Sequence, residues 1–108
     1  MGTQQADVVR VDSEDRSGTQ ALTVVGRLDT RTAPDARREL HGAIDSGDGI
    51  LVLDLARCEV GDATGLGLLV EFHRRAARAG RRIHVVAIDE RTRRLLRGIR
   101  LDRRIVAA

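Results

Sequence analysis

Apolar and polar positions change period several times along this chain, and each change predicts an element. Val8-Val9-Arg10-Val11 is a short apolar run that predicts a strand. Asp12 to Gly18 (Asp-Ser-Glu-Asp-Arg-Ser-Gly) is dense in turn formers. Gln20 to Val25 then alternates, with Leu22 and Val24 on one side, so the two strands form an antiparallel pair. At Thr32 the period lengthens. Thr32, Pro34 and Asp35 make a helix start: a capping hydroxyl, a proline in the first turn and an early acid. Ala33, Ala36, Leu40, Ala43 and Ile44 then share one helical face, and Ser46-Gly47-Asp48-Gly49 ends the helix.

Ile50-Leu51-Val52-Leu53-Asp54-Leu55 is nearly continuous in apolar residues and bounded by turns, as a central parallel strand covered on both sides would be. Periodicity alone also allows a buried helix, and the shortness of the run and its flanking glycines favour strand. A second helix is expected after Thr64, with Leu66, Leu69, Val70, His73 and Ala77 on its inner face and Arg74, Arg75 and Arg78 outside. Gly80 closes it. Ile83 to Ile88 is the next strand, Asp89 caps a third helix that buries Leu95 and Leu96 and stops at Gly98, and Ile105-Val106 adds a short strand or tail. The order is ββαβαβα. Successive βα units require at least a partly parallel sheet, so the chain reads as one α/β domain over 8–108, with a mixed sheet, helices packed on one side and a loose tail over 1–7.

A chain of 108 residues supports one core. Its apolar runs are far too short to span a bilayer and its start lacks a signal-peptide pattern, so membrane insertion is not expected and a cytoplasmic location is. A lone cysteine, Cys58, fits a reducing compartment and reads as a small interior residue. Charge is uneven: residues 1–56 hold 6 Arg against 10 acids, net −4, and residues 57–108 hold 13 Arg against 6 acids, net +7. The basic half favours an acidic partner surface or nucleic acid. One aromatic residue, Phe72, offers no stacking platform, which disfavours a basic nucleic-acid-binding domain.

Asp62-Ala63-Thr64-Gly65 stands between a buried strand and a helix start, where open α/β sheets concentrate ligand chemistry. A hydroxyl there meets unpaired amides and the positive end of the helix dipole, which would tolerate a phosphate. A phosphate would also add roughly −1.5 to −2 charges to a contact surface. Local physics alone favours a plain cap role for Thr64 over a regulatory one. Gly65 and Gly67 permit close approach of a partner, or of the helix to the sheet, at a cost in helix stability. No zinc set forms from His41, His73, His84 and Cys58, and neither a dinucleotide fingerprint nor a P-loop lysine is present, so no metal, cofactor or catalytic residue is expected and the chain does not read as an enzyme.

Gly26-Arg27-Leu28-Asp29, the strand Leu51 to Leu55, Asp62-Ala63-Thr64-Gly65-Leu66-Gly67 and the C-terminal Arg94-Leu95-Leu96 with Leu101-Asp102-Arg103 together resemble the STAS family, including bacterial anti-sigma-factor antagonists. The resemblance spans about Val8 to Val106. It implies a STAS-like domain that binds an anti-sigma factor with ATPase-fold Ser/Thr kinase activity, and so controls a sigma factor indirectly. Phosphorylation at Thr64 would release it, and a metal-dependent Ser/Thr phosphatase would reset it. It further implies a partner-binding set of Asp29, Asp62, Ala63, Thr64, Gly65 and Leu66, with the two acids either orienting the hydroxyl or the kinase's metal–nucleotide group or serving as turn and cap residues. Ala63 stands where many relatives carry serine, Gly61 where a bulkier apolar residue is usual, and Arg100 where a glycine is common. A STAS subunit of a lipid-transport ABC complex, contacting an ATPase without being phosphorylated, is the alternative.

Overall fold

The computed structural model describes residues 9–16, 18–98 and 106–107. The elements are β1 (Arg10–Arg16), β2 (Thr19–Leu28), α1 (Ala33–Ser46), β3 (Ile50–Asp54), β4 (Cys58–Val60), α2 (Ala63–Arg78), β5 (Ile83–Ala87), α3 (Glu90–Gly98) and β6 (Val106–Ala107). The sheet runs β1-β2-β3-β5-β6, with β4 attached to β2 off this path. β1 is antiparallel to β2, and the other pairings are parallel, which makes the sheet mixed.

Pairing register aligns the apolar alternation across strands. Leu22 lies opposite Leu53, and Leu53 opposite Val85, giving a row that is fully buried. α1 covers these rows with Ala33, Ala36, Leu40, Ala43 and Ile44, the face its 3.6-residue period indicates. α2 adds Leu68, Leu69 and Phe72, and α3 adds Leu96, all in the same core cluster. Ala21, Val52 and His84, which alternate with the core residues, are half-buried on the other side of the sheet.

Several local expectations are corrected. The first strand starts at Arg10 and runs on through Asp12 to Arg16, so polar residues read as a turn are strand. β1 is an edge strand with an outer flank in water, and such a strand needs no apolar run. Thr32 is the residue before α1, but its side chain makes no cap bond. Its hydroxyl instead donates to the Arg27 carbonyl (2.6 Å) and accepts from the Asp29 amide (3.1 Å). The buried face of α2 is Gly65, Leu68, Leu69, Phe72 and Ala76, with Leu69 alone shared with the expected set; Leu66 and Val70 are half-buried and Ala77 is exposed. Both apolar stripes have helical spacing, and contact with the sheet selects between them. Strand β4 has three residues and was not expected. The tail over 1–7, Arg100, the Leu101-Asp102-Arg103 turn and Ile105 lie outside the described residues.

β2 places the functional end of the molecule. Its first half, Thr19 to Thr23, pairs with β3, and its last three residues, Gly26 to Leu28, pair with β4. Gly26 sits at φ +123°, a conformation that favours glycine, at the point where the strand changes partner. The residues after β2 therefore emerge beside the residues after β4.

Candidate functional site

Asp62 is the N-cap of α2: its backbone is extended and its Oδ1 accepts from the Gly65 amide at 3.0 Å. Ala63 and Thr64 are consequently the first two helical residues, so the cap role open to Thr64 from sequence belongs to Asp62. Oδ2 of the same carboxylate accepts from both the amide and the hydroxyl of Thr30, each at 3.0 Å. Thr30 Oγ1 also lies 3.2 Å from Thr64 Oγ1. These groups come together although 34 positions separate the two threonines. The β2–β4 pairing and the Gly61 amide bond to the Leu28 carbonyl (2.8 Å) bring them together.

Asp29 organises the other loop. Its Oδ1 accepts from the amides of Arg31 (2.9 Å) and Thr32 (3.1 Å), and its Oδ2 from Arg27 Nε (3.1 Å). Partial burial and the nearby Asp62 charge push its carboxyl up. The Thr32 and Arg31 amides with Arg27 outweigh them and hold it below the usual carboxylate range. Asp62 is also held low, first by the Gly65 amide and then by that of Thr30. Both acids are thus carboxylates at neutral pH.

Arg27 continues across the loops to Glu59 Oε2 (3.3 Å) and the Gly61 carbonyl (3.4 Å). A Cβ on Gly61 would meet Arg27 Nε at 2.5 Å, so the small residue there makes room for a guanidinium. A Cβ on Gly65 would collide with the Leu28 carbonyl oxygen, so this glycine is what lets the first turn of α2 sit on β2.

Among the residues singled out by sequence, Asp62, Ala63 and Thr64 are exposed, Asp29 and Leu66 are half-buried and Gly65 is buried. The structure brings Asp29, Asp62 and Thr64 to one end of the sheet. Asp62 reaches the Thr64 hydroxyl through Thr30. Thr30 and Arg27 were not singled out. Their signal in the sequence was only the turn Gly26-Arg27-Leu28-Asp29-Thr30, and its nearness to α2 depends on a strand too short to read.

The arrangement offers an exposed hydroxyl in the first turn of a helix, at the positive end of its dipole and linked through Thr30 to the Asp62 carboxylate. Among the described residues no group of three or more His, Cys, Asp or Glu is placed to hold a metal ion, and no helix is long and apolar enough to cross a membrane. Cys58 is buried. Burial, with Asp89 and Glu59 nearby, pushes its thiol up to about 12, which makes it unreactive at neutral pH.

The chain is similar in structure to an anti-sigma factor antagonist from Mycobacterium paratuberculosis, at 27% identity and a TM-score of 0.75, over 92% of this chain and 84% of that one. The Bacillus cell fate determinant SpoIIAA in its phosphorylated form matches at 19% identity and a TM-score of 0.68, over 92% of this chain and 91% of that one. The murine anion transporter Slc26a9 matches at 12% identity and a TM-score of 0.79, over 98% of this chain and 22% of that one. The last two likenesses are of fold. No curated protein matches the chain in sequence. The family model described as Mlab, STAS domain matches residues 6–107, and the chain belongs to that STAS family.

Proposed function

We propose that this protein is an anti-sigma factor antagonist that binds an anti-sigma factor through the loop after β2 and the first turn of α2. The observation that carries this reading is the exposed Thr64 beside the Asp62 cap, with the 29–30 turn bonded to that cap. The similarity to the mycobacterial antagonist supports it. In this reading the partner is an ATPase-fold Ser/Thr kinase, and its sequestration frees a sigma factor. The kinase transfers a phosphoryl group to Thr64 Oγ1. The added charge of roughly −1.5 to −2, set beside the carboxylates of Asp62 and Asp29, repels the partner surface. A metal-dependent phosphatase removes it, and the cycle runs in the cytoplasm. Asp62 and Thr30 position the acceptor, while Ala63 and Leu66 supply contact surface.

The test is to incubate the protein with its kinase and ATP and map the phosphate by mass spectrometry. Phosphate on Thr64, with loss of binding, is expected. Phosphate elsewhere, with Thr64→Ala still released by ATP, would overturn the assignment.

Ala63 favours a second reading, because it stands where many relatives carry the serine that a family kinase would modify. In it, the same surface contacts the ATPase of a lipid-transport complex and is never phosphorylated. Co-purification with that ATPase, undisturbed by Thr64→Glu, would select it.

A further inference from the structure

Gly65 and Gly67 both cost α2 stability, yet only one is needed by the fold. Gly65 admits the Leu28 carbonyl. Gly67 is exposed, and a Cβ built on it meets nothing within 4 Å. A glycine inside a helix costs about 1 kcal/mol relative to alanine. Nothing within the described residues requires that cost at position 67, so the open space points to something that approaches from outside.

The same side of α2 carries uncompensated charge. At 3.6 residues per turn, Thr64, Gly67, Glu71, Arg74, Arg75 and Arg78 fall within about 100° of arc. All of these except Thr64 line a groove of about 500 Å³, which His41 of α1 also lines. Arg37 of α1 holds Glu71 at 2.9 Å, and Asp45 of α1 holds Arg75 at 2.9 Å. Arg74 and Arg78 are exposed and have no acidic partner among the described residues. The groove therefore presents two unneutralised guanidinium groups, on the same helix face as the proposed switch hydroxyl.

We propose that this strip of α2, from Thr64 through Gly67 to Arg78, is one continuous docking surface for an acidic protein segment. The partner packs closely over Gly67 and sets carboxylates against Arg74 and Arg78. The strip is about 21 Å long at 1.5 Å per residue, which fits within one face of a standard interface of about 800 Å² per partner. Charge complementarity names the occupant: carboxylates answer the two arginines, and the same surface ends at the hydroxyl where an added phosphate would repel them. The inference rests on the proposed binding through the start of α2, and it adds the far end of the footprint and the partner's charge.

The anti-sigma factor kinases encoded in the genome that carries this chain are purified and titrated against the protein by calorimetry at two salt concentrations. Against the kinase that binds, Arg74→Glu/Arg78→Glu weakens affinity about ten-fold or more and flattens the salt dependence. Gly67→Gln weakens it by a similar factor, and Gly67→Ala keeps or raises the thermal midpoint, which separates a contact from a folding defect. If no kinase binds the wild-type chain, the proposed function fails and the strip with it. If the wild type binds and either variant binds within about two-fold of it, the strip alone is overturned. Short duplex DNA is titrated in parallel. Binding of DNA that these arginine substitutions abolish, with kinase affinity unchanged, assigns the arginines to nucleic acid and also overturns the proposal.

Discussion

Asp62 carries different attachments on its two carboxylate oxygens. Oδ1 caps α2 through the Gly65 amide, and Oδ2 ties the Thr30 amide and hydroxyl to the helix. Asp62→Ala removes both, while Asp62→Asn can keep one oxygen as an acceptor. The expected order of thermal midpoint is wild type, then Asp62→Asn, then Asp62→Ala. Amide hydrogen exchange at Thr30 should quicken in Asp62→Ala, and unchanged exchange there would mean that the loops are not joined through this side chain. The pH dependence has a definite sign. The Asp62 carboxyl is lowered in the folded protein, chiefly by the Gly65 amide. Its contribution is therefore present above the unfolded value of about 3.9 and is lost as pH falls through the lower folded value. The advantage of the wild type over Asp62→Asn should be constant near pH 7 and shrink below about pH 4 in thermal melts. An advantage that persists to the acid limit would contradict the bonding described.

At the scale of elements, α2 separates the two glycines by their surroundings. Gly65→Ala forces a methyl into the Leu28 carbonyl and should destabilise by about 1–3 kcal/mol in urea unfolding. Gly67→Ala enters open space and should stabilise by about 0.5–1 kcal/mol. The reverse order would mean that α2 does not pack on β2 as described. Arg81 joins elements in another way. It is 6% exposed, and its guanidinium donates to the carbonyls of Ala43, Ile44, Asp48 and Gly49 at the end of α1 and in the loop after it. Arg81→Met strands those acceptors and should cost about 3 kcal/mol by the same measurement. A loss under about 0.5 kcal/mol would deny that bonding its role.

What was legible in the sequence follows from these elements. α1 could be read residue by residue because its apolar stripe stands alone between Thr32 and Gly47. The central strands β3 and β5 were legible as short apolar runs bounded by turns, although only alternate positions of each are fully buried. α2 was read with the wrong inner face because Leu66, Leu69 and Val70 and Leu68, Leu69 and Phe72 are both helically spaced. β4 was invisible because three residues carry no period, and with it went the neighbourhood of Thr30. Asp62 and Thr64 were visible as a motif. Their division of labour, with Asp62 as the cap and Thr64 as the exposed hydroxyl one step inside the helix, is set by the extended backbone at Asp62 and its bond from the Gly65 amide, which the residue types alone do not specify.

Across the whole molecule, the sheet order turns the uneven charge of the chain into geometry. The N-terminal half, net −4, supplies β1, β2, α1 and β3, and the C-terminal half, net +7, supplies α2, β5, α3 and β6. The proposed partner surface lies where the two meet, with Asp29 and Thr30 from the first half and Asp62, Thr64 and the arginines of α2 from the second. A single α/β core fixes both sides of that seam, so a local charge at Thr64 acts on a surface that is already rigidly placed. The account stands most directly on one measurement: binding of the cognate anti-sigma factor kinase before and after incubation with ATP, with the phosphate mapped by mass spectrometry. The expected result is tight binding before, release after, and a single phosphate on Thr64, with Thr64→Ala bound in both conditions. Release of the Thr64→Ala protein by ATP, or binding that ATP leaves unchanged with Thr64 unmodified, would contradict it.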